Sequence, residues 1–282
     1  MKEKMNDIYE NKIAGLVRYI DTYKLKSLIV GASGGIDSTI TIILASKAAK
    51  RAGIPLIGVS LPSNTNKQEE VYIANKVGNL FCDKFIEARI DKLYKDISSF
   101  LTIVTNNTNK IAEGNLKARL RMTILYHIAQ TNGGIVLDTG NMSEHMLGFF
   151  TVHGDEGDVG LLNDMLKTDI YNLGSWLLIN TSKSGLDEEQ RAVLGRSMRL
   201  TPTDGNGTSE SDVEQFGVKS YDVVDDIIKT NDFYREGAEK MLNLYKKSAF
   251  KRVARPICIS KNGTAVPFTT LFKNDTNHSY KK

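Results

Sequence analysis

At 282 residues, with 41% hydrophobic and 25% charged side chains, the chain can bury a substantial core, and its composition excludes a disordered or fibrous class. A net charge of +4 is too mild to argue for nucleic acid by itself and suits a substrate with several phosphates equally well. Its two cysteines, Cys82 and Cys258, form no CxxC pair, which gives no metal-ligand spacing and agrees with a reducing compartment.

The first residues carry no apolar core of a signal peptide, and the longest apolar stretch, around 40–49, is broken by Thr41, Ser46 and Lys47. A cytoplasmic protein with no membrane partner is expected. Ile13, Leu16, Val17 and Ile20 recur at helical spacing and predict a helix over 7–23. Ser27 to Gly31 reads as a buried strand, and helical periodicity resumes from Ile36 to Ala49 until Gly53 stops it. Pro55 to Leu61 predicts a second strand, 68–80 a helix, 84–88 a short strand and 93–104 another helix. A long helix is expected from Asn115 to about Gln130, then the strand Ile135 to Asp138. Strands alternating with helices of ten or more residues predict an α/β fold, a doubly wound parallel sheet with helices on both faces. Beyond Gly140 the pattern is helical with polar loops, above all Thr201 to Gly217. No linker or repeat divides residues 1–282, so one domain with a helical C-terminal part is expected. The tail after Pro256 lacks periodicity and is expected to be mobile.

The segment Gly31-Ala32-Ser33-Gly34-Gly35-Ile36-Asp37-Ser38 lies between the first strand and the second helix. Gly34 and Gly35 allow a tight turn that brings N–H groups to an anion, and the helix aims its N-terminus at the same spot. Ser33 and Ser38 offer hydroxyl donors. Asp37 would repel a bare phosphate, so it reads as a magnesium ligand that joins the two through a cation. The bland alternative is a turn whose serines and aspartate merely cap a helix. The Gly-Lys-Ser/Thr ending of a Walker loop is missing. The segment resembles instead the SGGxDS pyrophosphate loop of the N-type ATP pyrophosphatases.

Further segments narrow the resemblance. Asn115-Leu116-Lys117-Ala118-Arg119-Leu120-Arg121-Met122, Thr139-Gly140-Asn141-Met142-Ser143-Glu144, Gly148-Phe149-Phe150-Thr151 with Gly154-Asp155, Lys167-Thr168, Pro202-Thr203, and Gly217-Val218 with Ser220-Tyr221-Asp222 occur in order. Lys251-Arg252 closes the series. Together they resemble the ammonia-dependent NAD synthetases over roughly residues 10–256. The resemblance implies an adenine nucleotide alpha hydrolase-like fold, a homodimer and a carbon–nitrogen ligase. That enzyme amidates deamido-NAD with ammonia, using ATP as co-substrate and magnesium as cofactor, through an acyl adenylate. It further implies that Gly31 to Ser38, Thr139, Lys167 and Thr203 contact ATP, and that Asp37 and Glu144 hold magnesium. Arg119, Asp158, Phe149 and Lys251 would meet deamido-NAD, and Asp37, Lys167 and Asp155 would be catalytic.

Each residue also has a plainer reading. Glu144 would serve equally as a carboxylate at a helix start, Lys167 as a solvated lysine, and Phe149 as core packing. Asp155 and Asp158 would serve as ordinary turn residues. Val152 stands where the family carries lysine and Phe250 where it carries histidine, both on the second-substrate side. Some fourteen added residues before Thr203 predict an extra helix over 184–196. These departures keep open another adenylating enzyme with a different carboxylate, or a catalytically silent nucleotide-binding protein.

Overall fold

The computed structural model describes residues 2–253 apart from 108, 204–210 and 236, together with 257–259 and 265–267. Helix α1 (Lys2–Tyr23) precedes an alternation of β1 (Ser27–Gly31), α2 (Ile36–Ala52), β2 (Leu56–Ser60), α3 (Gln68–Phe81) and β3 (Lys84–Glu87). Two helices follow, α4 (Asp91–Thr105) and α5 (Lys110–Thr131), then β4 (Gly134–Asp138), α6 (Met142–Leu147), β5 (Val159–Gly160) and α7 (Lys167–Ile179). The remaining helices are α8 (Thr181–Ser184), α9 (Glu188–Ser197), α10 (Asp212–Phe216), α11 (Tyr221–Thr230) and α12 (Glu239–Lys247). A 3-10 turn over Ala249–Arg252 and the strands β6 (Ile257–Ile259) and β7 (Ala265–Pro267) come last.

The five-stranded sheet has the order β3-β2-β1-β4-β5, with every pairing parallel. The chain leaves β1 toward β2 and returns on the other side to β4. The strand order therefore reverses between β1 and β4, and the crevice outside their carboxyl ends is where open α/β sheets bind ligands. One core packs α1, α2, α3, α7 and α9 on one face of the sheet. The second, with Ile29, Ile57, Val136, Met122 and Leu125, seats α5 on the other face. A third apolar cluster joins α6, α10, α11 and α12 through Leu147, Phe216, Val224 and Met241. It fixes the short helix α6 and the start of α7 beside the crevice.

Several boundaries differ from expectation for local reasons. Helix α5 begins five residues before Asn115 because the Asn109 side chain accepts from the Ile111 and Ala112 amides at 2.9 and 3.2 Å. Within 201–217, expected to be a polar loop, α10 forms at 212–216, where Phe216 is fully buried and Ser211 caps the helix start. The added helix expected over 184–196 is α9, capped by Asp187, which accepts from the Gln190 amide at 2.8 Å. In the tail, β6 and β7 pair antiparallel, with Ile257 opposite Pro267. The expectation of mobility for the rest of that tail lies outside the described residues. Among the described residues, no helix is long and apolar enough to cross a membrane.

Candidate active site

The turn after β1 is knitted to itself by hydroxyls. Ser33 and Ser38 Oγ lie 2.9 Å apart, Ser38 Oγ donates to the Gly35 carbonyl at 3.0 Å, and the Gly35 amide donates to Ser33 Oγ at 3.3 Å. Gly34 adopts φ +87, and a Cβ there would meet the Glu70 carbonyl at 2.2 Å, so only glycine fits. Helix α2 starts directly at Ile36, with Asp37 in its first turn.

Across the crevice, the end of β4 delivers Thr139, Gly140 and Asn141. Asn141 caps α6, accepting from the Glu144 amide at 3.0 Å, and its Nδ2 donates to Asp37 Oδ1 at 3.1 Å. Its backbone N–H donates to Glu144 Oε2 at 3.4 Å, so one residue ties the two carboxylates of the site together. Lys167, the first residue of α7, is 2% exposed, and its Nζ donates to Asp37 Oδ2 and, at 3.3 Å, to Glu144 Oε1. Its backbone is fixed as well. Asp225 of α11 accepts from the Ser143 hydroxyl and the Thr168 amide, while Lys167 N donates to Ser143 Oγ at 3.0 Å.

The charges are strained toward one another. Burial pushes the Glu144 carboxyl up to about 8, with the Asp37 charge adding to it and Lys167 opposing. Burial works against the Lys167 ammonium too, yet Asp37 and Glu144 outweigh it and hold its pKa above the ordinary lysine value. Asp212 on α10 adds a third carboxylate to this field and accepts from the Tyr221 hydroxyl at 3.0 Å.

A cavity of about 640 Å³ opens from these groups. Gly31, Ala32, Ser33, Gly35, Ile36, Asp37 and Ser38 line it, with Thr139, Glu144, Lys167 and Thr203; Gly34 alone of the turn sits behind the wall. Phe149 and Lys251 line the cavity too. Phe149 packs edge-on against Phe216 with ring centroids 4.9 Å apart, and Lys251 Nζ donates to the Gly148 and Phe150 carbonyls. Asp155 also faces the cavity. Its carboxylate accepts from the Thr151 amide, and burial raises its pKa above the usual carboxylate range.

Two of the named residues do not line this cavity. Arg119 Nε donates to the Val152 carbonyl at 3.2 Å, on an exposed face of α5. Asp158 turns its carboxylate to the Val136 amide at 2.9 Å and the Tyr126 hydroxyl at 3.1 Å. Sequence reasoning missed Arg121, which does line the cavity and donates to the Leu61 carbonyl at 2.9 Å and toward Asn66 at 3.3 Å. A helical wheel separates Arg119 from Arg121 but cannot say which faces the cavity. Asn141 and Asp212 were missed too; Asn141 stood inside a quoted motif, in the residue class that caps helices. Among the described residues, no group of three or more His, Cys, Asp or Glu could hold a metal by itself.

A glycine-rich turn at the switch point of a parallel sheet, faced by a lysine between two carboxylates, places the chain in the class of open α/β proteins whose ligand crevice lies at that point. Residues 8–255 match the family model described as NAD synthase, and the chain belongs to that family. The NH(3)-dependent NAD(+) synthetase of Thermoplasma acidophilum is 33% identical over 223 residues, which is 79% of this chain and 83% of that one. The enzyme of the same name from Methanocaldococcus jannaschii is 30% identical, across 80% of this chain and 82% of the relative. Among solved structures, an NMN synthetase from Francisella tularensis superposes with a TM-score of 0.76 at 24% identity, over 89% of this chain and 97% of that one. The NH3-dependent NAD synthetase of Campylobacter jejuni gives 0.66 at 20% identity, covering 90% and 98%. Both likenesses bear on the fold.

Proposed function

We propose that the protein is an ammonia-dependent NAD synthetase, joining deamido-NAD to ammonia at the expense of ATP. The observation that carries this reading is Lys167, buried between Asp37 and Glu144 at the mouth of the phosphate turn. In the first step a nicotinate carboxylate oxygen attacks the α-phosphorus of ATP, and the bond to pyrophosphate breaks. Ammonia then attacks the acyl carbon, AMP leaves, and a proton is lost. No covalent bond to the enzyme is required.

The turn from Gly31 to Ser38 holds the pyrophosphate through backbone amides at the start of α2. Lys167 balances the charge that gathers on the leaving group, from a site where burial strengthens its field. Thr139 and Thr203 contact ATP. Asp155 faces the second step, and its raised pKa suits it to take up the proton that ammonia sheds.

The donor set fits magnesium. Two carboxylates crowd one ammonium, and Glu144 is pushed toward its neutral form unless a further cation arrives. Two protein oxygens with several phosphate oxygens make the shell that magnesium accepts. Asp37 and Glu144 would hold the ion, which would neutralise phosphate charge in the bound nucleotide.

The second substrate meets Phe149 and Lys251. The protein further acts as a homodimer through α4, none of whose residues is buried and which exposes Phe100, Ile103 and Val104 at 63%, 81% and 63%. Ile111 at the start of α5 is 69% exposed and lines the cavity, so a second copy that also covered it would help wall off the site. Ile103→Glu should convert the dimer to a monomer in light scattering; a wild-type monomer at micromolar concentration would contradict this interface.

Val152 and Phe250 support a second reading, in which the same chemistry acts on a smaller pyridine nucleotide. Phe250 is 66% exposed beside Lys251 and brings no donor to an anionic substrate. Substrate labelled with oxygen-18 in its carboxylate decides the mechanism for either candidate, deamido-NAD or nicotinate mononucleotide. One label must appear in AMP. Label confined to inorganic products would rule out the acyl adenylate.

A further inference from the structure

Helix α9, the added segment before Thr203, is anchored at several points. Lys76 of α3 pairs with Glu189 at 3.0 Å, the Gln190 side chain donates to the Leu80 carbonyl at 3.3 Å, and the Arg196 guanidinium lies 5.1 Å from the Tyr72 ring. At its last residue, Ser197 is 1% exposed. Its Oγ donates to the Gly34 carbonyl at 2.8 Å and lies 2.9 Å from the Thr39 hydroxyl, itself fully buried. A hydroxyl has one proton. Because Ser197 gives its proton to Gly34, Thr39 must donate to Ser197, and the three groups form a directed chain that ends on the phosphate turn.

That carbonyl belongs to the same planar trans peptide as the Gly35 N–H, and the two point in opposite directions. Gripping the carbonyl from the buried side aims the N–H the other way. The cavity lining agrees: Gly35 faces the cavity and Gly34 does not. Gly34 is also pressed against the start of α3, where the Glu70 carbonyl leaves no room for a side chain. The peptide is held between α3 and α9: Ser197 grips its carbonyl from the buried side, and its N–H donates to Ser33 Oγ at 3.3 Å on the cavity side, where a phosphate oxygen would take over that hydrogen bond.

We propose that Ser197 is a positioning residue for the phosphate turn, whose hydroxyl orients the Gly34–Gly35 peptide so that its N–H meets the ATP phosphates. This rests on the reading that the turn carries ATP. Helix α9 thereby has a task in the reaction, although none of its residues lines the cavity.

The test is ATP affinity, measured by equilibrium dialysis with magnesium and without a pyridine nucleotide, for the wild type, Ser197→Ala, Ser197→Cys and Ser197→Thr. The alanine and cysteine variants lose the strong O–H donor and should bind ATP about ten-fold more weakly. Their KM for deamido-NAD should stay near the wild-type value, and threonine, which keeps the hydroxyl, should restore ATP affinity. Cysteine keeps the volume if alanine fails to fold. A fall in Tm with ATP affinity within about two-fold of wild type overturns the proposal, because Ser197 would then only support the fold. So does a parallel weakening of both substrates that threonine fails to restore. A wild type with no ATP affinity would instead overturn the functional reading, and the inference with it.

Discussion

Around the phosphate turn, the side chains named from sequence converge: Lys167 bonds to both Asp37 and Glu144, and Asn141 ties the two carboxylates together through its side chain and its backbone N–H. Of the residues named for the second substrate, two lie off the cavity and are bonded within the protein: Arg119 donates to the Val152 carbonyl, and Asp158 accepts from the Val136 amide and the Tyr126 hydroxyl. The difference follows from how each half is built. The half proposed to hold ATP is made by helix starts and strand ends at one edge of the sheet, where backbone geometry dictates where side chains stand. The second half draws on α5, on loops and on the 3-10 turn around Lys251, and its groups are set by what each of these packs on.

The largest expected effect probes the ATP half. Asp37→Asn keeps the shape and removes the charge, and should lower kcat at least about a hundred-fold. The Lys167 ammonium keeps Glu144 as partner, so the fold should survive. Near-normal turnover at saturating magnesium would place Asp37 among helix-capping residues.

On the other side of the comparison, Val152→Lys offers an anionic substrate a charged donor that the wild type lacks. It should lower KM for the second substrate by about ten-fold while leaving KM for ATP unchanged. Phe250→His should act in the same direction, less strongly. If both raise that KM instead, the second pocket has been built around these two apolar side chains.

Asp158 sharpens the contrast further. With its carboxylate committed to Val136 N and Tyr126, Asp158→Ala should destabilise the protein by about 1–3 kcal/mol in urea unfolding. A substrate-binding role predicts the opposite pattern, with a raised KM for deamido-NAD at unchanged stability.

The smallest effect is a pH slope. Glu144 titrates near 8 in the fold against an ordinary value of 4.5, so it favours the folded state most where it is protonated. In the presence of a chelator, its contribution is complete below about pH 4.5 and is lost as pH rises through about 8. Glu144→Gln should flatten part of the fall in Tm between pH 5 and about 8; an unaltered slope would show that Glu144 carries no raised pKa.

The sheet was legible because parallel strands buried on both faces read as apolar runs, as in Ser27 to Gly31, and because Gly53 marks the end of α2 in the αL conformation. The turn from Gly31 to Ser38 was legible because its glycines and hydroxyls stand in eight consecutive residues between a strand and a helix. Asn109 at the start of α5 and Ser211 at the start of α10 hid behind polar letters that also suit loops. Arg121 and Ser197 were invisible for a different reason. Their partners, Leu61, Asn66 and Gly34, lie 55–163 positions away in sequence, and no local period carries that information.

The central claim is most directly tested by incubating the purified protein with ATP, magnesium, ammonium and deamido-NAD and counting products. NAD, AMP and pyrophosphate should appear in equal amounts, with ADP at background and with glutamine unable to replace ammonium. AMP and pyrophosphate without NAD, or NAD formed with ADP as co-product, would contradict it.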